Sequence, residues 1–229
     1  MSILLLEYPQ RMFERMVYYM LKKFVLSNFK NFRDEIKIDF EDIAGYQFST
    51  DCISDNIITK MLIYGKNATG KTNLGRALVD IAFLMIVEPV YIENSMILNA
   101  DSSEDYAKFS YTFGFGDDEI IYQYTRFSNR ELRDEELIIN GISVFKCDFL
   151  RGEYEFNNLK YIDAETANVE RYLQSLEVEE TVEENRKARL PFLKWLIGNV
   201  ALKNDSVLNR LINYVRGMMV ITIGNGMPY

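Results

Sequence analysis

Histidine is absent from this sequence, and cysteine occurs only twice in 229 residues. Cys52 and Cys147 lie far apart and do not form a CxxC pair, so they have no histidine partners and no spacing suited to a shared metal ion. This excludes the common classes of cysteine–histidine zinc domain. We expect both cysteines to be reduced thiols, either in the core or at the surface.

Long apolar runs and an excess of positive charge are also missing. No window reaches the ~18 apolar residues that cross a bilayer, and the short N-terminal run SILLL is soon followed by charged residues. The chain has 34 acidic and 26 basic residues, a formal charge of −8, which argues against binding nucleic acid mainly through phosphate neutralisation. A local basic patch remains open. We expect a cytoplasmic protein with no membrane partner.

The chain is nevertheless rich enough in apolar side chains to fold. Its content of 48% apolar and 14% aromatic residues can fill the core of one large domain or two small ones. We divide it into an N-terminal extension (1–19), a nucleotide-binding lobe (20–163) and a helical segment (164–229). Three strands are predicted early in the lobe, at Lys23–Ser27, Glu35–Phe40 and Lys60–Tyr64.

Hydrophobic periodicity changes twice along the rest of the chain. Apolar residues recur at helical spacing after Gly70 until Pro89. From Tyr106 the period is two, and the turn compositions GDDE, SNRELRDE and NG separate the alternating segments, which predicts an antiparallel meander. From Ala164 the pattern is helical again, with a charge-dense stretch that we interpret as a solvated helix face.

The segment GKNATGKT matches the phosphate-loop (Walker A) motif GxxxxGK[ST] in full and lies between a predicted strand and a predicted helix. Glycines let the backbone turn so that successive N–H groups face one anion, and the N-terminus of the helix adds partial positive charge. The motif therefore predicts a site for a nucleoside triphosphate. Its residues are Gly65, Lys66, Asn67, Ala68, Thr69, Gly70, Lys71 and Thr72.

Two side chains of this loop have specific expected roles. Lys71 is expected to reach the β- and γ-phosphates, and it is our one candidate catalytic residue; Thr72 is expected to hold Mg²⁺ through its hydroxyl. Asn67, Ala68 and Thr69 are expected to act mainly through their backbone N–H groups. The expected cofactors are ATP and Mg²⁺.

The loop with its GKTNL sequence, together with FVLSNFKNFRDEIKIDF upstream, resembles the N-terminal lobe of ABC-type ATPases of the SMC, RecF and OLD-like group. It is similar in particular to bacterial AAA-type ATP-binding proteins of phage-defence and abortive-infection systems. The meander from ILNADSS to EELIING is also similar. The resemblance implies an α/β P-loop NTPase fold with an antiparallel meander and a C-terminal helical segment.

The resemblance also implies further site residues and partners. It puts Lys30 and Asn31 beside the base or ribose, although a simple strand-end turn explains these two residues equally well, and it adds Asn73 to the nucleotide-binding residues. It implies a homodimer, or a second polypeptide that supplies the missing half of the ATPase. DNA or a nuclease effector are further partners that it allows, in a defence or DNA-maintenance system.

The sequence departs from this family where hydrolysis is concerned. An ABC-type site needs an Asp-Glu pair at the end of a buried strand and a serine-glycine signature, and neither is found. Asp117 and Asp118 are predicted to lie in a hairpin turn, Asp163 follows a segment too short for a central strand, and Gln123 lies within a meander strand. The acids nearest to the required pattern therefore do not fit it.

Three functions remain open from the sequence. The first is an ATP-binding lobe of an ABC-type ATPase that is incomplete for hydrolysis on its own, and the second is a non-enzymatic nucleotide-sensing or interaction module. The third is a self-contained P-loop kinase or GTPase, which needs its own Mg²⁺-binding Asp; a GTPase also needs an NKxD-like base reader, which the sequence lacks.

Overall fold

Alternating segments of the chain form most of its strands in the computed structural model, which describes residues 4–5, 19–45, 48, 50–86, 96–128, 131–182 and 190–220. The strands are β1 (Leu4–Leu5), β2 (Tyr19–Ser27), β3 (Ile36–Asp39), β4 (Ile53–Ser54), β5 (Ile57–Ile58), β6 (Leu62–Ile63), β7 (Ala107–Phe115), β8 (Asp118–Arg126), β9 (Leu132–Ile139), β10 (Ile142–Asp148) and β11 (Glu153–Glu155). The helices are α1 (Lys71–Leu78), α2 (Asp80–Met85), α3 (Val169–Val182), α4 (Phe192–Asn199) and α5 (Val207–Arg216). Short 3-10 turns occupy Thr50–Cys52 and Leu159–Ile162.

Seven strands form one antiparallel sheet in the order β11-β10-β9-β8-β7-β2-β3. Strands β7 to β11 are neighbours in the order of the chain, as short turns require. Asn140 and Gly141 connect β9 to β10 with φ angles of 50° and 77°, the left-handed values that a two-residue hairpin turn needs. The meander predicted from the period of two is present. Two of its predicted turns are shorter than expected, because Asp118 of GDDE already starts β8 and Leu132 to Glu135 of SNRELRDE belong to β9.

The core lies between one face of this sheet and the helices. Every second residue of β7 from Ala107 to Phe115 is buried, because the side chains of a strand alternate between its two faces. On this face Tyr214 of α5 lies against Phe113, with ring centroids 5.4 Å apart, and Phe192 of α4 lies against Phe145 at 4.9 Å. Aromatic packing thus fixes the C-terminal helices on the sheet.

The predicted α/β P-loop NTPase fold is wrong for the described residues. The strand before the phosphate loop, β6, has two residues, lies outside the large sheet and pairs antiparallel with β1. A central parallel strand is buried on both faces, whereas Leu62 is 60% exposed and Tyr64 is 81% exposed. The apolar run MLIY satisfies the strand pattern of the motif but does not have the burial that a parallel sheet needs.

The proposed domain boundaries stay predictions. The strand β2 begins at Tyr19, whose ring packs edge-on against Phe115 at 5.1 Å, so this residue joins the sheet and not the extension. Most of the remaining extension, residues 1–3 and 6–18, lies outside the described residues. Within the described ranges, no helix has the length and apolar character that crossing a membrane requires.

Candidate nucleotide-binding site

The phosphate loop leads directly into α1, which begins at Lys71. Gly70 precedes the helix with a φ of 94°, and Ala68 has a φ of 62°, so two left-handed residues turn the chain back toward the helix. The residues from Gly65 to Thr69 are exposed, whereas Leu74 and Ala77 bury the inner side of α1. The loop therefore lies at the surface on a helix that is anchored in the core.

Lys71 closes the loop by bonding back to its beginning. Its ammonium Nζ donates to the carbonyl oxygens of Gly65 (2.9 Å) and Lys66 (2.6 Å), and the Thr69 hydroxyl donates to the Lys66 oxygen at 2.9 Å. An ammonium has three donors, and the third has only a 3.5 Å contact with Thr69 Oγ1. The positive charge is thus held inside the loop with one donor weakly engaged.

The loop fits a triphosphate and a magnesium ion in its chemistry. A Cβ at Gly65 would lie 3.2 Å from Thr69 Oγ1, so a larger residue there would displace the Thr69 side chain. Thr72 lies in the first turn of α1 and is exposed, which suits a hydroxyl ligand for Mg²⁺. Among the described residues, no acidic side chain forms an ion pair with Lys71.

The structure brings the turn after β2 against the phosphate loop. The Asn73 side-chain amide donates to Asn31 Oδ1, and a Cβ built on Gly70 would lie 3.2 Å from Asn31 Cβ and 3.1 Å from Phe32 Cζ. Lys30 lies in the same turn, but its ammonium donates to the Met96 carbonyl oxygen at 3.1 Å. Asn31 and Asn73 therefore lie next to the loop, whereas the Lys30 side chain contacts Met96. Their contact with a nucleotide stays a prediction.

One residue of this turn was missed by the sequence analysis. Asn28 is 2% exposed, and its amide nitrogen donates to the carbonyl oxygens of Glu104 (2.7 Å) and Tyr106 (2.8 Å). Its side-chain oxygen accepts from the backbone N–H of Asn99 at 3.1 Å. An asparagine at the end of a strand is an ordinary turn signal, and nothing in the local sequence reveals these distant partners.

The far end of α1 is fixed by buried polar groups that the sequence analysis also missed. The Tyr111 hydroxyl donates to the Ala77 carbonyl oxygen at 2.6 Å, and Asp80, the first residue of α2, accepts from Tyr124 (2.6 Å) and pairs with Arg126. Burial raises the pKa of Asp80, although Arg126 and Tyr124 oppose this shift. Strands β7 and β8 thus hold the helix that carries the phosphate loop.

A second buried carboxylate lies away from the loop, on β9. Glu135 is 1% exposed and accepts a hydrogen bond from the Tyr122 hydroxyl at 2.7 Å and another from the backbone N–H of Phe192, the first residue of α4. Burial raises its pKa from 4.5 to about 7, more than these hydrogen bonds lower it. The carboxyl group therefore links the sheet to the start of α4 at a pKa near neutrality.

The acids closest to a catalytic pattern are engaged elsewhere. Asp118 starts β8 and pairs with Arg210 at 3.1 Å, and Asp163 pairs with Lys203. Asp118 pairs with Phe115, which pairs with Tyr19 at the start of β2. The phosphate loop adjoins the other end of β2, and at the usual rise per residue the two ends of this strand are roughly 25 Å apart. Gln123 lies within β8 and donates to Glu136 at 2.9 Å, as expected for a meander strand.

No protein-family model matches the chain, and no curated protein matches it.

Proposed function

We propose that the chain binds ATP with Mg²⁺ at residues 65–72 and that a second subunit or polypeptide supplies the groups needed for hydrolysis. The observation that supports this most directly is the loop geometry. Lys71 holds its ammonium against the Gly65 and Lys66 carbonyl oxygens, at the N-terminus of an eight-residue helix. The full positive charge of the Lys71 ammonium and the partial positive charge of the α1 N-terminus thus lie in the same short segment, as phosphate binding requires.

The choice of ATP over GTP comes from the family resemblance and not from a readable base pocket. Lys30 and Asn31 remain the residues proposed to lie beside the base or ribose, and Asn73 would support them through Asn31. In the same proposal the protein is cytoplasmic and takes part in a defence or DNA-maintenance system. Competition between ATP and GTP tests the base preference, and a clear preference for GTP would contradict it.

Hydrolysis needs a positioned water and charge stabilisation opposite the phosphate loop. Of the acids that the sequence offered for this role, Asp117 lies in the β7–β8 turn, Asp118 pairs with Arg210 and Asp163 pairs with Lys203. The isolated chain should therefore bind Mg-ATP and hydrolyse it hardly above background. Supplying the missing half in trans should restore turnover.

Calorimetry with Mg-ATP tests the binding site. Lys71→Ala removes the ammonium and should weaken binding at least tenfold. Lys146→Ala is the matched control, since Lys146 is an exposed lysine on β10 and the substitution changes the net charge equally. Equal affinities of the wild-type protein and Lys71→Ala would overturn the site.

A non-enzymatic nucleotide sensor is the second candidate function. It is favoured by the same absence of a carboxylate at Lys71 among the described residues. Phosphate release separates the two candidates: a sensor binds Mg-ATP without turnover even when a completing partner is present. Turnover near one per second by the isolated chain, an ordinary enzymatic rate, would contradict both.

A further inference from the structure

Asn28 connects the turn beside the phosphate loop to three residues that are far away in the sequence. It directly follows β2, is 2% exposed and has a φ of 51°. Its side chain uses two amide donors and one acceptor, on Glu104, Tyr106 and Asn99. Replacing this buried amide is costly, because one substitution removes three partly buried hydrogen bonds at once.

The turn that Asn28 begins is held on both sides. Phe29 and Phe32 exchange two backbone hydrogen bonds of 2.8 Å. The backbone N–H of Lys30 donates to the Ile97 carbonyl oxygen at 2.7 Å, and the Asn99 side chain donates to the Lys30 carbonyl oxygen at 2.5 Å. Asn28 and Asn99 thus clamp the turn onto the segment 96–106.

This clamped turn is in direct contact with the loop. Asn31 accepts from Asn73 in the first turns of α1, and the backbone of Gly70 passes so close to Asn31 and Phe32 that an added Cβ would lie within 3.2 Å of both. Gly70 is the residue whose φ of 94° starts the helix. A shift of the turn therefore moves the loop or strains Gly70, since no gap separates them.

We propose that Asn28 is a positioning residue for nucleotide binding: its hydrogen bonds to Asn99, Glu104 and Tyr106 set the turn that holds Gly70 and Asn73 in their binding geometry. This inference rests on the proposed function of the loop. Asn28 itself does not touch the nucleotide. Its effect passes through Asn31 and Phe32 to the start of α1.

The test replaces the side-chain donors and keeps the backbone. Asn28→Asp sets carboxylate oxygens against two carbonyl oxygens, and Asn28→Gly removes the side chain while tolerating the φ of 51°. We expect the Kd for Mg-ATP to rise about tenfold in both variants, measured by calorimetry well below their melting temperatures. The amide NMR signals of Gly70 and Lys71 should also shift in the nucleotide-free variants.

Asn140→Asp is the matched control. Asn140 is another asparagine with a left-handed φ, 50°, whose side chain bonds the backbone N–H of Glu119 and the Asp118 carboxylate, but it lies in the β9–β10 turn. Its substitution should lower stability and leave both the affinity and the loop signals unchanged. If Asn28 had a purely structural role, Asn28→Asp would behave like Asn140→Asp and lower stability without changing the affinity or the loop signals.

The outcomes separate the inference from the proposed function. Unchanged Mg-ATP affinity and loop signals in Asn28→Gly would overturn the inference, while loss of binding in Lys71→Ala would still support the site. If the wild-type protein does not bind Mg-ATP, the proposed function is wrong, and the signals of Gly70 and Lys71 in the nucleotide-free variants decide whether Asn28 positions the loop. If Asn28→Asp does not fold, Asn28→Gly decides alone.

Discussion

The helix-covered face of the sheet and the phosphate loop differ in what surrounds their polar atoms. On the sheet, Tyr122, Tyr124 and Arg126 are at most 4% exposed, and each bonds to a buried carboxylate. In the loop, the residues from Gly65 to Thr69 are exposed, and the side chains of Thr69 and Lys71 donate to carbonyl oxygens of the loop itself. Water does not compete for the buried hydrogen bonds on the sheet, whereas it competes for each exposed hydrogen bond in the loop.

This difference shows where each region obtains its stability. The sheet carries buried hydrogen bonds, and the loop and its helix are attached to the rest of the protein at three places. These are the Asn31–Asn73 bond, the Tyr111 bond to Ala77 and the pairing of Asp80 with Arg126. The helix α1 connects them. Substitutions on the sheet side should therefore have large effects on unfolding, and substitutions in the loop should have small ones.

The largest effect is expected at Asp80. Asp80→Asn leaves the Arg126 charge buried without its counter-ion, which should lower the free energy of unfolding by roughly 3 kcal/mol or more. Urea unfolding measures it. Asp163→Asn breaks the pair with the exposed Lys203 and should have a much smaller effect, because water screens this pair. Equal losses at the two positions would contradict the contrast between buried and exposed pairs.

The next effect depends on pH and concerns Glu135. Its pKa is raised in the folded protein from 4.5 to about 7, so the folded state binds more protons than the unfolded state between these values. Stability from this group is therefore highest at low pH and falls as the pH rises from about 4.5 to 7. The side chain of Glu135→Gln stays neutral at every pH, so this variant should be more stable than the wild-type protein at pH 8 by up to about 3 kcal/mol.

Unfolding curves at a series of pH values check this prediction. Glu136→Gln is the control, because Glu136 is the next residue on β9, points to the opposite face and bonds Gln123 and Ser143. This variant should keep the fall in stability between pH 4.5 and 7. A Glu135→Gln protein with the same fall as the wild type would show that another group is responsible.

A smaller effect is expected at Tyr111. Tyr111→Phe removes the hydroxyl that donates to Ala77 at 2.6 Å and leaves a buried carbonyl oxygen without this donor, which should cost about 1 to 2 kcal/mol. Tyr161→Phe is the control, since Tyr161 is 39% exposed. Thermal or urea unfolding of both variants suffices. No difference between them would mean that the Ala77 carbonyl contributes nothing to the anchoring of α1.

The smallest effect is expected in the loop itself. Thr69→Val removes the exposed bond to the Lys66 carbonyl oxygen and should change the free energy of unfolding by no more than about 0.5 kcal/mol. The same urea titration measures this change. A loss as large as that of Tyr111→Phe would show that the loop contributes to global stability, and the contrast between the two regions would fail.

Local patterns predicted the parts of the fold that local chemistry decides. The period of two gave β7 to β10 in their correct order, because short turns such as Asn140-Gly141 leave successive strands no other neighbour. The phosphate loop and the start of α1 at Lys71 followed from the motif. The continuous helix expected up to Pro89 instead divides at Val79 into α1 and α2, within the described residues up to 86.

What the sequence could not predict involves contacts between distant segments. Asn28, Asp80 and Glu135 acquire their roles from partners in distant segments of the chain, and their local sequence gives no sign of these. The predicted α/β P-loop fold was wrong because the motif was taken to determine the strand before it. Among the described strands, Leu62 and Ile63 pair with β1 and not with the large sheet, and a short exposed strand gains little by entering a buried sheet.

The order of strands in the sheet also has a kinetic consequence. The strands β7 to β11 pair with neighbours along the chain, whereas β2 pairs with β7 across the interval that contains the phosphate loop, with Ser27 opposite Lys108. Closing that long interval is the slow, entropically costly step in forming the sheet. The meander can thus form first and serve as a template for β2. The loop of residues 65–72 lies within that interval and would then reach its final geometry only after the meander has formed.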